Sequence, residues 1–327
     1  MPVVIGMVVL VRSLLGRAFG RKPRTPYGNR LPPRIHDRLS LSQTVGRRVV
    51  VIGDVHGCAS ELDRLLAALA RPDDLLVIVG DLVNKGPASP QVLRLVQERG
   101  VRSVRGNHDD QALAAWRAWD AGLPIPKPAK HGWVQGLHAD LACELEALPF
   151  TLDLPAYGVT IVHAGLLPGA DLRDQPLSDL FTMRDVVPAS TKGAGSPAPG
   201  GNPAWEANAV GGTGQPWAKV WAGPHHVLFG HDAARRLQLE PYATGLDTGC
   251  VYGGQLTACV LPALDHAGKP VEDSSPLPEG LTGQSIRLQG GKGIEAQVVS
   301  LPSAKTYSDK FLKLEQAAQV PMVHGEL

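Results

Sequence analysis

RRVVVIGDVHGCASELDRLLAAL, residues 47–69, decides the fold. Arg47 to Ile52 is a β-branched run that ends at Gly53, and it reads as a buried strand. Asp54 to Gly57 then form the loop at the C-terminal end of that strand. From Cys58 to Leu69 the apolar residues Leu62, Leu65, Leu66 and Leu69 recur at helical spacing, so a helix follows, capped by Ser60 or by the preceding loop.

The residues that follow repeat this grammar. Asp74–Val79 reads as a strand, Gly80-Asp81 as a loop, Ser89–Arg99 as a helix, and Val101–Val104 as a third strand leading into Gly106-Asn107-His108. Strand and helix alternating at this spacing predict a βαβαβ unit with a parallel sheet and right-handed crossovers. All three loops carrying Asp and His follow strands, at the edge where open α/β sheets bind ligands. Two later strands also end in histidine: Tyr157–Val162 before His163, and Val227–Gly230 before His231. Between them, Gln111–Ala121 reads as a helix whose Trp116 and Trp119 serve the core or cap the site, and Lys127–Pro149 reads as a helix with Pro-rich flanks. Ala258–Leu261, Ser285–Leu288 and Glu295–Leu301 read as further strands.

Composition narrows the classes. The chain has 327 residues, 43% hydrophobic and 19% charged, which suits a globular protein with a substantial core. A net charge of +1 without a long basic stripe in the body of the chain argues against duplex-DNA binding. Cys58, Cys143, Cys250 and Cys259 form no C-x-x-C pair and read as reduced, mostly buried thiols. Residues 1–45 stand apart as an apolar then arginine-rich segment with no acidic residue before Asp37. That pattern is compatible with an organelle transit sequence, a cleaved signal or a weak membrane anchor, but its apolar run is short of the ~18 residues of a span. One catalytic domain is expected over 46–305, with a Gly/Pro-rich insert near 189–215 and a tail over 306–327. The expected compartment is the cytoplasm, or an organelle to which the N-terminal segment directs the chain.

The clustered residues suit phosphate-ester hydrolysis. Water is a poor nucleophile, and the phosphoryl oxygens repel it. Two divalent cations about 3.5–4 Å apart acidify a water to hydroxide and neutralise the phosphoryl oxygens in the transition state. Asp54 and His56 alternate and can face one way, Asp81 is the natural bridging carboxylate, and Asn107, His163 and His231 complete the ligand set. His108 follows Asn107 directly and is assigned as the general acid for the leaving oxygen. Lys85, Arg105 and Arg184 are the candidate cations for the phosphoryl group. Each fragment alone would be an ordinary turn; the ordered set, each member after a strand, carries the reading.

GDVHG (53–57), GDLVNKGP (80–87), RGNHDD (105–110), VHAGLLP (162–168), FGHD (229–232) and LDTGCVYGGQLTA (246–258) resemble the calcineurin-like metallophosphoesterases. More narrowly, they resemble the ApaH-like branch of the phosphoprotein phosphatase superfamily, related to bacterial symmetrical diadenosine-tetraphosphatases. The resemblance covers roughly residues 47–260. It implies an α/β four-layer sandwich, two mixed β-sheets packed face to face and flanked by helices, and a pair of ions such as Mn, Fe or Zn. It also implies a dinucleoside polyphosphate, inorganic polyphosphate, capped RNA or phosphoprotein as substrate, the phosphoanhydrides being the first choice. Serine/threonine protein phosphatases of the superfamily carry Asp-Arg where this chain has Asn84-Lys85. Neutral Asn84 stabilises an imidazolium less, and Lys85 offers a point charge rather than a fork, so protein phosphatase becomes an alternative, beside an mRNA-cap-type pyrophosphohydrolase. A non-catalytic metal-bound scaffold would follow from a missing ligand, and none is missing.

Overall fold

The computed structural model describes residues 23–189, 205–291 and 293–309. The N-terminal apolar run, most of the Gly/Pro-rich insert and the end of the tail therefore lie outside the described residues. Among those described, no helix is long and apolar enough to cross a membrane.

In chain order the strands are β1 (His36–Arg38), β2 (Val49–Ile52), β3 (Leu75–Ile78), β4 (Arg102–Ser103), β5 (Thr151–Leu154), β6 (Val159–Val162), β7 (Asp185–Pro188) and β8 (Trp205–Asn208). They continue with β9 (Gln215–Pro216), β10 (His226–Phe229), β11 (Gln238–Glu240), β12 (Ala243–Gly245), β13 (Gln255–Leu261), β14 (Thr282–Leu288) and β15 (Ile294–Pro302). The longer helices are α1 (Ala59–Leu69), α2 (Ser89–Glu98), α3 (Asn107–Asp120) and α4 (Ala139–Ala147).

Two six-stranded mixed sheets face each other. One runs β14-β15-β13-β2-β3-β4, with β2, β3 and β4 parallel and β13 antiparallel to β2. The other runs β1-β5-β6-β10-β12-β11, with β6, β10 and β12 parallel. Alternation along β2 shows how the layers form. Val49 and Val51 point into the space between the sheets, against Leu152, Leu154, Ile161, Leu228 and Cys259. Val50 and Ile52 point the other way, onto Leu62 and Leu65 of α1, Val92 and Val96 of α2 and Leu141 of α4. Both faces of β2 are thus buried, which is why its sequence is a continuous apolar run rather than an alternating one. The outer face of the second sheet, through Val162, Val227 and Phe229, is covered by Phe181, Met183, Val186 and Trp217. Helices, sheet, sheet and an outer layer make the four layers expected.

Several elements differ from the sequence reading. The third strand shrinks to the two residues of β4. The helix expected over 127–149 is broken into Pro128–His131, a 3-10 turn over Gly132–Gly136 and α4. Gly132 and Gly136 weaken helical propensity inside that stretch. The outer layer on the second sheet is built less from helix than expected: short turns at Asp179–Thr182 and Trp217–Val220 stand beside a three-stranded sheet, β8-β7-β9. β1 lies inside the segment set apart at 1–45, yet it pairs in parallel with β5, His36 opposite Thr151. Leu39 after it is 1% exposed and sits in the inter-sheet core.

Candidate active site

Five connections bring the charged residues to one end of the sheets. Asp54 and His56 follow β2, Asp81 follows β3, Asn107 opens α3, His163 follows β6 and His231 follows β10. Asp81 is the centre. Its Oδ2 lies 3.4 Å from His56 Nε2, and its Oδ1 lies 3.4 Å from His163 Nε2 and accepts the His108 N–H at 2.8 Å. Asn107 Oδ1 is 3.2 Å from His163 Nε2 and 3.1 Å from His231 Nδ1. Asp54 Oδ2 is 3.8 Å from His56 Nε2, and both Asp54 oxygens accept the His231 N–H at 3.1 Å. All six expected ligands converge.

The ring nitrogens that face away from the centre fix the tautomers. His56 Nδ1 is 3.2 Å from the Val83 carbonyl, His163 Nδ1 is 2.9 Å from the Val79 carbonyl, and His231 Nε2 is 3.1 Å from the Thr182 carbonyl. A carbonyl only accepts, so each of these nitrogens carries the proton and the other nitrogen turns a lone pair inward. Burial, then Lys85, holds His56 down at about 3, and burial, then His163, holds His231 well below its ordinary value. Both imidazoles are therefore neutral. Burial would lower His163 and raise Asp81, but their mutual attraction wins: His163 moves up and Asp81 well down. Burial, then Asp247 and Asp81, pushes Asp54 well up against the opposing pull of Lys85.

The backbone here is held in uncommon conformations. His56, Asp81, Asn84, Lys85 and His231 all have positive φ, from 48° to 71°. Such residues cost on the order of 1–3 kcal/mol each and persist where the surroundings over-determine them. The approach is also close: a Cβ at Gly230 would run into the Asp54 carboxylate and come within 2.6 Å of Val79 Cγ2.

Asp81 belongs to two potential ligand groups, His56-Asp81-His108 and Asp81-His163-His231, whose donor atoms within each group lie within 4.8 Å of one another. Carboxylate, imidazole and amide oxygen form a mixed donor set that suits Mn, Fe or Zn. The residues therefore fit divalent cations.

The remaining expected residues divide. His108 stacks edge-on against His56 with centroids 4.8 Å apart, and its Nδ1 is buried without a hydrogen-bond partner. Lys85 donates to His56 Nε2 at 2.6 Å and lies over the Tyr252 ring. Arg184 lines the cleft, held by the His231 carbonyl at 3.1 Å and the Ala209 carbonyl at 3.2 Å. Arg105 does not reach the cleft. It is fully buried, paired with Asp110 at 3.1 Å, bonded to the Glu146 carbonyl and stacked on Phe150, so it braces the start of α3 instead of meeting phosphate.

Other side chains escaped the sequence reading. The Asp109 carboxylate accepts N–H groups from Gly106, Asp81 and Leu82, each at 2.9 Å, and so locks the Asp81 loop to the start of α3. Asp247 is buried beside Asp54 and Asp81, within the quoted LDTGC stretch. Asn84 donates to the His108 carbonyl at 2.9 Å, while its Oδ1 accepts from Trp133 Nε1 at 2.9 Å and lies 3.2 Å from His131 Nδ1. His131 stands in none of the sequence clusters, and Trp133 lines the cleft where Trp116 and Trp119 do not. The cleft is open, about 1120 Å³, with Lys85, Lys130, Arg184 and Arg235 on its walls.

The calcineurin-like phosphoesterase family pattern matches residues 47–255. A serine/threonine-protein phosphatase 1 of Salmonella typhimurium is 32% identical over 69% of this chain and 96% of its own length. A symmetrical bis(5'-nucleosyl)-tetraphosphatase of Aromatoleum aromaticum is 31% identical over 68% of this chain and 97% of its own. A solved structure of a candidate diadenosine tetraphosphatase superposes with a TM-score of 0.59 at 35% identity, covering 73% of this chain and 96% of that one.

Proposed function

The chain belongs to the calcineurin-like phosphoesterase family of hydrolases, and from that premise we propose that it cleaves phosphoanhydrides of dinucleoside polyphosphates or inorganic polyphosphate at a two-cation centre. The observation that carries this reading is Asp81, which offers one oxygen to His56 and the other to His163 at the floor of a cationic cleft. Asp54, His56, Asp81, Asn107, His163 and His231 would hold the cations, which supply Lewis acidity and acidify a water. The catalytic unit on this reading is 46–305 together with β1.

The protein's own groups divide the remaining work. Lys85 and Arg184 hold phosphoryl oxygens, Arg184 already fixed by two carbonyls and offering further N–H donors to the cleft. His108 delivers a proton to the leaving oxygen. Burial holds its imidazole neutral while Asp81 pulls the other way. The negative charge of an incoming polyphosphate adds to the pull of Asp81 and favours the imidazolium that an acid needs. Asn84 fixes the His108 backbone through its amide, so the ring enters the cleft at a set angle.

The Salmonella relative favours a second reading, a protein phosphatase. Against it stands Asn84, neutral and with its oxygen directed to Trp133 and His131, so it lends no charge to His108. A panel of diadenosine tetraphosphate, polyphosphate, capped RNA and a phosphopeptide, each with Mn²⁺ and with chelator, tests the proposal. Chelator-sensitive turnover highest on the first two is expected. Turnover highest on phosphopeptide would replace it with the second reading, and turnover untouched by chelator would remove the cations from the chemistry.

A further inference from the structure

Next to the Asp54–His56 loop, and not among the residues lining the cleft, lies a cluster that the proposed phosphoryl chemistry does not use. Cys58, Glu61 and Cys250 bring two sulfurs and a carboxylate oxygen within 4.8 Å of one another. All three are deeply buried, at 1%, 0% and 2% exposure. Cys58 caps α1 and Glu61 stands three residues on, so both project from one side of the helix start. Cys250 arrives from the loop after Asp247.

Glu61 makes the cluster more than a pair of core thiols. Its carboxylate is met by neutral donors: the Ser303 hydroxyl at 3.3 Å, the Ala304 N–H at 3.1 Å and the Tyr307 hydroxyl at 3.0 and 3.2 Å. A buried carboxylate balanced only by neutral groups is costly, and a cation is what relieves it. The neighbouring sulfurs select the kind. Hard cations such as Mg²⁺ prefer oxygen, whereas thiolates favour Zn²⁺ and its relatives. We infer that Cys58, Glu61 and Cys250 form a second, structural site for one thiolate-binding divalent cation of the zinc class, separate from the phosphoryl centre. As the cation binds, each cysteine releases its proton to solvent, so the site exchanges two protons for one divalent ion without oxidation. The bound ion would tie together the loop bearing Asp54 and His56, the loop bearing Asp247 and the Ser303–Tyr307 segment.

Sulfur separates this site from the catalytic one, whose converging ligands include none. Protein with its catalytic centre filled by Mn²⁺ is titrated with Co²⁺ while thiolate-to-metal charge-transfer absorption is followed. A band saturating at one equivalent is expected in the wild type. It should vanish in Cys58→Ser and Cys250→Ser, and Glu61→Gln, which keeps the packing, should weaken Co²⁺ binding about tenfold or more. A wild type without the band but with four titratable thiols after unfolding would overturn the inference, leaving plain core cysteines. Two titratable thiols instead of four would overturn it in favour of a disulfide. A band that survives in both serine variants would place the sulfur ligands elsewhere. If a serine variant does not fold, the wild-type and Glu61→Gln arms still decide.

Discussion

Replacing Gly106 by alanine tests the convergence of the site with a single methyl group. Gly106 precedes α3 with φ −85° and ψ 169°, a conformation open to any residue, so the backbone imposes no penalty. Space does. The new carbon would press on the amide nitrogen and Oδ1 of Asp81 and stand 2.9 Å from its Cγ. Carbon atoms settle about 3.5–4.0 Å apart, so the carboxylate must retreat by roughly 0.6–1 Å. It has no slack, because the same carboxylate accepts the His108 N–H at 2.8 Å and meets His56 and His163 at 3.4 Å each. Overpacking of this kind costs about 1–3 kcal/mol of stability. A misplacement near 1 Å in a reacting constellation costs about 100-fold in rate. The assay is kcat/KM on p-nitrophenyl phosphate at saturating Mn²⁺, beside Mn²⁺ affinity by calorimetry and the thermal midpoint. Gly136→Ala, whose new carbon meets open space, is the control and should behave as wild type. A Gly106→Ala protein that keeps wild-type kcat/KM and Mn²⁺ affinity would refute the reasoning, since Asp81 could then move without consequence.

Asp81→Asn should abolish turnover and loosen both cations, and an unchanged metal content by atomic absorption would count against a bridging carboxylate. His108→Asn should retain metal but slow turnover by about 100-fold or more, and a near-normal kcat would remove it as the acid. A fourth prediction concerns pH. Burial lowers His226 from its ordinary 6.5 to about 4, and its Nε2 lies 2.9 Å from Thr244 Oγ1. The unfolded chain binds that proton first, so the contribution of His226 is complete above 6.5 and is lost as pH falls from 6.5 towards 4. At about 1.4 kcal/mol per pH unit, the loss is on the order of 3 kcal/mol. Urea unfolding at about pH 7.5 and about pH 4.5 should show a smaller drop for His226→Gln than for wild type. Equal drops would mean that His226 titrates normally.

The parts legible in the sequence were those whose physics is local. β2 is buried on both faces and β3 is apolar throughout, so they appear as apolar runs, and the six candidate ligands appear because each follows such a run or opens the next helix. What escaped depends on partners far along the chain. Arg105 sits beside GNHD and looked like a phosphate ligand, but its environment is set by Asp110, Glu146 and Phe150, which only the fold brings around it. The same reasoning explains Asn84. Its neutrality was readable from its identity, but its direction was not: His131 and Trp133 reach it from 47 and 49 residues away. They come from the stretch where Gly132 and Gly136 break the expected helix. That break turns two ring N–H groups towards the loop after β3, and so the irregularity in the sequence is where the support of Asn84, and through it of His108, enters the site. Asp109 and Asp247 were closer to being found, since one adjoins His108 and the other lies in a quoted motif. They were passed over because a carboxylate that holds backbone N–H groups leaves the same trace in a sequence as one that binds a cation. Only the three N–H groups on Asp109 tell the two apart.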